Sequence, residues 1–335
     1  MRRLIVTLAF LATASHAALA AGGWIRAGVD TNSPVWGIRG GLQFALHPGG
    51  FTGGDGGPRG LVRLGYPTLT NGGYDLINFI AVEPIVGGRK GFSELEKSSL
   101  DGRNGKVFWT GDPAAPAVEK PHLDPGALNP LAGGIEELSV TVLVEKFDNG
   151  AHVRLRLTQR SDAPDELRLS VTAEPGSAPI ESCILTATMG NKARTRLLFL
   201  NDGPVSSLQL YADYRDKHFA PHRIFPVARL PRAANGDVLV ALANDEAEPS
   251  AVQPFGRPHF WDYRGMKVSQ YWRKPAAGVG DALVCAVNGR FTYWMSERSI
   301  PGGISFENFE LREPFRSGQT VVFGITREAT GLVGR

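Results

Sequence analysis

The chain has 335 residues, of which 42% are hydrophobic and 21% are charged, with 36 basic and 33 acidic side chains. This composition supports a sizeable core, and the near balance of charge argues against nucleic acid or an anionic membrane surface as a partner. Only two cysteines are present, Cys183 and Cys285, both inside apolar runs. Their spacing leaves open either a disulfide or two buried free thiols.

The first 20 residues predict export. Arg2 and Arg3 precede an apolar stretch that ends on Ala18-Leu19-Ala20, the small-x-small pattern that signal peptidase cleaves. A membrane anchor is the competing interpretation, but a spanning helix needs roughly 20 predominantly apolar residues and polar residues interrupt this run. We expect a signal peptide at 1–20, cleavage after Ala20, and a secreted or periplasmic mature chain without membrane insertion.

The segment from Trp24 to Gly134 is rich in glycine and proline, and predicts short strands at Gly41–Leu46, Gly60–Leu64 and Tyr74–Val82. Its clearest helix signal is the Ser-x-x-Glu capping box at Ser93–Glu96, which predicts a short helix as far as Leu100. No polar linker follows this segment. We therefore expect it to belong to the same domain as the rest of the chain.

From about Ile135 onward, apolar and polar residues alternate with a period of two, which is typical of strands with one buried face. Short turns rich in Gly, Asn, Asp and Pro separate them, and connections this short favour antiparallel pairing. The later predicted strands are Glu181–Ala187, Arg194–Leu200, Ser207–Ala212, Asp237–Ala243, Ala282–Tyr293, Gly303–Leu311 and Thr320–Thr326. The predicted fold class is all-β: a large antiparallel β-sandwich with few short helices, formed by residues 21–335 as a single domain.

Several side chains are candidates for holding a glycan. Tryptophan rings stack on the C–H faces of sugars, although tryptophan also packs in the core of any large sandwich. Arginine pairs with carboxylates in a planar, bidentate geometry, and a turn asparagine can meet hydroxyls. The predicted substrate-binding residues are Trp36, Asn191, Arg223, Trp272 and Arg273.

The densest polar cluster lies between Tyr211 and Arg223, and contains Tyr214, His218 and His222. The spacing of the two histidines suits zinc on a helix, but Pro221 disfavours a helix, and in a strand the rings would lie roughly 13 Å apart. We predict proton transfer beside a carboxylate substrate for this group. A charged loop making surface ion pairs is the alternative.

Carboxylates are the second requirement for cleaving glycans. Glu83 ends a strongly apolar run, so burial would raise its pKa towards that of a general acid. Glu307 lies where the alternation fails between Phe306 and Phe309, and a β-bulge there would re-aim a polar side chain. We prefer Glu307, then Glu83, as catalytic carboxylates. Among the other acidic candidates, helix capping accounts for Glu94 and Glu96, and Glu310 has no assigned role.

The carboxyl-terminal segment FENFELREPFRSGQTVVFGIT resembles the end of galactose-mutarotase-like supersandwich proteins. In that family an acidic residue on a late strand precedes a turn and a final strand, and Glu307, Ser317-Gly318 and Val321–Thr326 match these positions. The resemblance implies a carbohydrate site on one concave sheet, with Glu307 as base and His222 as acid. The chain departs from the family where Asn308, rather than proline, follows Glu307.

These observations predict a secreted carbohydrate-active protein that degrades a polysaccharide or oligosaccharide. A glycoside hydrolase needs two facing carboxylates, whereas a polysaccharide lyase needs a Tyr or His base and a cation that neutralises a uronate. The alternative is a non-catalytic module that binds a glycan or an envelope protein. No phosphate loop, dinucleotide fingerprint or cysteine-pair metal motif is present, so no cofactor and no metal are predicted.

Overall fold

A computed structural model of the chain describes residues 23–51, 59–69, 71–114, 116–188, 195–244, 266, 268–294 and 296–326. Two large antiparallel sheets of ten strands each form a sandwich. This architecture confirms the predicted all-β class. The expected signal peptide and Asn191 lie outside the described residues.

The first sheet has the strand order β1-β2-β3-β4-β5-β12-β19-β18-β15, and β6 pairs with β5. Its strands come from the beginning, middle and end of the chain. They are β1 Trp24–Ile25, β2 Val35–Ile38, β3 Gln43–Ala45, β4 Leu61–Tyr66, β5 Asp75–Val86, β6 Arg89–Lys90, β12 Ser182–Thr188, β15 Arg223–Pro226, β18 Val284–Arg290 and β19 Ser305–Arg312.

The second sheet has the order β14-β13-β16-β17-β20-β11-β10-β9-β7, and β8 pairs with β9. Its strands are β7 Phe108–Trp109, β8 Ala127–Pro130, β9 Glu136–Val144, β10 Val153–Arg160, β11 Ala163–Ala173, β13 Thr195–Leu200, β14 Gly203–Ser206, β16 Val238–Asn244, β17 Ser269–Lys274 and β20 Gln319–Thr326.

Helical structure in the described part of the chain is limited to single turns. One α-helical turn covers Ser207–Leu210, and 3₁₀ turns cover Ala132–Gly134, Val227–Arg229 and Ala276–Gly278. The turn at Ser207–Leu210 replaces a predicted strand because the Ser206 hydroxyl accepts a hydrogen bond from the Leu208 N–H and so caps a helix. No described helix is long and apolar enough to span a bilayer.

The helix predicted at Ser93–Leu100 is not formed. The Ser93 hydroxyl accepts from the N–H of Val82 at 2.9 Å and also donates to the carbonyl of Gly60, so it joins β5 to the residue that precedes β4 and caps no helix. The Glu96 carboxylate accepts from the N–H groups of Phe92 and Asp148 and pairs with Lys106. The capping-box residues are present, but tertiary partners occupy their polar atoms.

Part of the second sheet follows the period-two pattern of the sequence, whereas β16 is buried on both faces. In β9, β10 and β11 the alternate apolar side chains are buried in the core between the sheets, and Arg154, Arg156 and Arg168 on the opposite face are exposed. One wetted face explains why these strands are easily predicted from sequence.

The first sheet is buried on both faces at its centre. In β5, Ile80 and Val82 face the core between the sheets, whereas Phe79 and Ala81 belong to a separate apolar cluster on the other face. We call that other face the outer face. Its buried residues include several polar ones, and this is where the candidate site lies.

Both cysteines are free and buried. Cys183 lies on β12 and Cys285 on β18, and strand β19 runs between them. Two strand spacings amount to about 9.6 Å, which exceeds the roughly 7 Å Cα separation that a disulfide can bridge. The sequence left open a disulfide or two buried free thiols, and this geometry favours the two free thiols.

Candidate functional site

The centre of the outer face carries an acid pair, Glu83 on β5 and Glu310 on β19, with Thr186 of β12 between them. In the sheet register Thr186 lies opposite Ala81, and Ala286 of β18 lies opposite Glu310. Small alanine side chains on both sides leave room for the long carboxylates to turn towards Thr186. Both carboxylates are buried.

A single hydroxyl joins the two carboxyl groups. Thr186 Oγ1 lies 2.6 Å from Oε2 of Glu83 and is also hydrogen-bonded to Oε2 of Glu310. A hydroxyl has one hydrogen, so it can donate to one carboxylate and accept from the other only if that carboxyl is protonated. Contacts on both sides fit an acid pair that holds one proton between its two members.

The electrostatic environment of Glu83 also favours its protonated form. Burial raises the pKa of Glu83, and the charge of Glu310 raises it further, against the lowering effect of Lys90. The Lys90 ammonium lies 2.6 Å from Oε2 of Glu83. Neighbouring Glu94 follows the same trend, because burial and the charge of Glu83 raise its pKa to about 7. Carboxyls with raised pKa values therefore cluster near this end of β5.

Glu310 has a cationic partner and an imidazole beside it. The Arg312 guanidinium donates to Oε1 of Glu310 from Nε at 2.6 Å and from a second nitrogen. Nε2 of His222 lies 3.4 Å from the same oxygen but is not aligned for a hydrogen bond. A small rotation of the ring would make that bond, and such contacts often tighten only when substrate binds.

His222 is partly exposed, as are the two cations: its side chain is 30% exposed, and those of Lys90 and Arg312 are each 25% exposed. Burial lowers its pKa, Glu310 opposes that shift, and Arg312 and Lys90 add to it. The imidazole is consequently neutral at neutral pH. A neutral imidazole backed by a carboxylate, with two cations nearby, is equipped to accept a proton.

Glu307, the preferred carboxylate of the sequence analysis, lies outside the acid pair. The predicted β-bulge is present, because the register between β18 and β19 shifts between Val287 and Gly289. Glu307 is buried, and its charge raises the pKa of Arg290 against the larger lowering effect of burial. The bulge thus directs Glu307 towards Arg290, while Glu310 fills the central position.

The cluster predicted around residues 211–223 divides in two. His222 faces Glu310, whereas His218 is exposed and lies 3.9 Å from Asp216. Tyr214 is near Arg290, whose charge acts on its pKa, although burial is the main effect and raises it. Among the described residues, no three His, Cys, Asp or Glu side chains converge as a metal-binding group.

A solvent-open cleft of about 460 Å³ lies beside this cluster. The Arg290 guanidinium lies against two aromatic rings, 4.9 Å from the centroid of Phe219 and 4.8 Å from that of Trp294. The remaining lining residues are polar: Lys217, His218, Ser296 and Glu297. We call this the Trp294 cleft.

Three predicted substrate-binding residues have structural roles, which corrects the expectation from sequence. Trp36 and Trp272 are fully buried, and their indole N–H groups donate to the carbonyls of Asp124 and Phe309, each at 2.8 Å. Arg273 pairs with Glu166 and Asp237 on the second sheet. None of these side chains reaches the outer face of the first sheet.

The fourth, Arg223, is exposed, and its guanidinium lies 5.9 Å from the Tyr211 ring centroid. Sequence reasoning overlooked Thr186, Lys90 and Arg312, and gave Glu310 no role. Lys90 and Arg312 lie next to other charged residues and give no signal in the sequence, whereas the polar Thr186 gives one by interrupting the apolar run from Cys183 to Ala187. That signal becomes readable only once the strand register is known.

No protein-family model matches the chain, and no curated protein matches it. Among solved structures, that of HI1317 is similar to the chain with a TM-score of 0.33 and 10% identity, over 85% of this chain and 95% of HI1317. A likeness at this level says nothing about chemistry.

Proposed function

We propose that the chain is an exported glycan-degrading enzyme, a polysaccharide lyase that cleaves uronate-containing chains at the outer face of the first sheet. The observation that carries the proposal is the placement of neutral, partly exposed His222 against the Glu310 carboxylate, with Arg312 on the same carboxylate and Lys90 nearby. A base and a cation side by side are what β-elimination of a uronate requires.

Each group has a defined part in the proposed reaction. Nε2 of His222 faces Glu310, which leaves Nδ1 to take the proton from sugar carbon C5, next to the uronate carboxylate. Arg312 and Lys90 stabilise the negative charge that develops on that carboxylate, and Glu310 stabilises the imidazolium. The C4–O4 bond then breaks, a C4=C5 double bond forms, and the imidazolium returns its proton to the departing oxygen.

The acid pair supports a lyase better than a hydrolase. Two hydrogen bonds to one oxygen place the carboxylate oxygens of Glu83 and Glu310 within about 5.5 Å of each other, a separation compatible with a retaining glycosidase. However, Thr186 lies between them, so no sugar ring can fit there. Both carboxylates are also buried, whereas His222 reaches solvent.

A non-catalytic glycan-binding module is the second candidate. The Trp294 cleft favours it, because an aromatic-lined, solvent-open cleft of this size can hold a sugar without any chemistry. The two candidates differ in whether the protein cleaves the glycan that it binds, which only the lyase does, through His222.

The test is to incubate the mature protein with neutral and uronate polysaccharides while recording new reducing ends and unsaturated-product absorbance. We expect both signals on a uronate polymer, loss of both by at least about 100-fold in His222→Ala and Glu310→Gln, and no change in His152→Ala. Reducing ends without absorbance would indicate a hydrolase and refute the lyase. Retention on an immobilised glycan with neither signal would leave the binding module.

A further inference from the structure

We infer that the Trp294 cleft is a subsite for a second acidic sugar residue of the same glycan chain, an inference that rests on the proposed uronate substrate. Its lining joins flat aromatic rings, a buried arginine and a rim that carries one lysine and one glutamate. Neither the acid pair nor the His222 chemistry uses any of its side chains.

The shape of the cleft suits one sugar ring. Its volume of about 460 Å³ lies within the range of small-molecule sites, and it opens to solvent. Phe219 is 39% exposed and Trp294 is partly exposed, with ring centroids 5.9 Å apart and planes tilted by 37°. An exposed aromatic pair of this kind offers a surface to the C–H face of a pyranose.

Arg290 makes that surface rigid and positively charged. Its guanidinium lies against both rings, which also contact each other, and donates to the carbonyls of Lys217, Thr292 and Tyr293. A buried cation in contact with both rings holds them in place and adds positive potential beside them. The nearby charge of Glu307 offsets part of that potential.

The rim carries a replaceable ion pair. The Lys217 ammonium lies 3.0 Å from Oε1 of Glu297, and the two side chains are 56% and 80% exposed. Exposed pairs of this kind are weak, so an incoming carboxylate competes with Glu297 for Lys217 at little cost. His218 and Ser296 complete the polar lining. This chemistry selects an acidic sugar over a neutral one.

The cleft is positioned to continue a chain that is bound at His222. Phe219 pairs with Arg290, and Arg223 pairs with Val287, so the cleft and His222 lie side by side along β18. The offset along the strand is about two residues, or roughly 7 Å. A glycan chain lying along β18 would therefore present one residue to His222 and a neighbouring residue to the cleft.

The experiment measures binding apart from cleavage. In a His222→Ala background, calorimetry at low salt compares tetrasaccharides of galacturonic, glucuronic, mannuronic and guluronic acid with their uncharged methyl esters. We expect a uronate to bind about threefold more weakly after Lys217→Gln and about threefold more tightly after Glu297→Gln, with the ester unaffected. Trp294→Ala should weaken both forms by about tenfold, and Lys146→Gln, an exposed lysine elsewhere, should change nothing.

Binding of none of these tetrasaccharides, or equal affinities in Lys217→Gln, Glu297→Gln and Lys146→Gln, would overturn the subsite. The two rim variants decide the matter even if Trp294→Ala fails to fold, because exposed side chains seldom affect folding. If the wild-type protein cleaves nothing but the rim variants shift affinity as expected, the lyase proposal fails and the acidic-sugar site stands.

Discussion

Replacing Thr186 by valine removes the hydroxyl that joins Glu83 to Glu310 and keeps the shape and β-branching of the side chain. The hydroxyl makes two hydrogen bonds to ionisable carboxyls, and each such bond contributes about 1.5–3 kcal/mol when its partner is charged. Since the pair holds one proton, one bond is of the charged kind and the other is closer to about 1 kcal/mol. We expect Thr186→Val to lower the free energy of unfolding by about 3 kcal/mol at neutral pH.

The loss should also depend on pH. The Thr186 hydroxyl lowers the pKa of Glu83, so its removal raises that pKa further above the ordinary value. A carboxyl with a raised pKa in the folded state stabilises the fold at low pH, and this stability is lost as pH rises through the folded-state pKa. Thr186→Val should therefore be more destabilising at pH 8 than at pH 5.

Urea unfolding at both pH values, with the midpoint and the slope fitted separately, measures this effect. Thr186→Ser, which keeps the hydroxyl, should restore most of the stability, and Thr141→Val, at an exposed strand position, should change little. An unchanged midpoint, or an equal loss at pH 5 and pH 8, would refute a proton-sharing acid pair.

Three further predictions concern other buried groups. Burial and the charge of Glu83 raise the pKa of Glu94 from 4.5 to about 7, so the free energy of unfolding should fall as pH rises between these two values. In urea titrations at a series of pH values, Glu94→Gln should remove at most about 3 kcal/mol of that fall. Lys274→Met leaves the buried carboxylate of Glu313 with Arg316 as its only cationic partner among the described residues, and should lower the free energy of unfolding in urea by about 3 kcal/mol. Adding Glu313→Gln to that variant should recover part of the loss, and additive losses would contradict a coupled pair. Burial raises the pKa of both cysteine thiols, so a thiol reagent at pH 8 should label neither Cys183 nor Cys285 until urea unfolds the protein, and labelling of the native protein would contradict their placement.

The fold was predictable because strands β9, β10 and β11 of the second sheet have one wet face. Strands such as β10 alternate buried valine and leucine with exposed arginine, and this alternation marks both the strand and its inner side. The first sheet gives a weaker signal, since strands such as β12 are buried on both faces. The capping box at Ser93 failed for a different reason: its polar atoms bond to strands distant in sequence, which local propensity cannot anticipate.

The site was only partly predictable. Local context suggested that burial raises the pKa of Glu83, and the contacts of Glu83 agree with it. For residues 211–223 the sequence left two alternatives, proton transfer and a charged loop with surface ion pairs; His222 lies beside Glu310, and Lys217 forms an exposed ion pair with Glu297. The choice of Glu307 over Glu310 followed the bulge, which is a local feature. Which carboxylate meets Thr186 depends on the pairing of three strands, and no pattern within a single strand carries that information.

The assembly of the acid pair has a consequence for how the protein folds. Thr186 is separated in sequence from Glu83 by 103 residues and from Glu310 by 124, yet the three strands β5, β12 and β19 are neighbours in one sheet. Closing such long loops carries an entropic cost before any contact is gained, and β-rich chains of this topology fold in milliseconds to seconds. A nascent chain carries no complete acid pair until β19 has been synthesised and has docked beside β12. The acid pair is therefore complete only after nearly the whole of this polypeptide has been made.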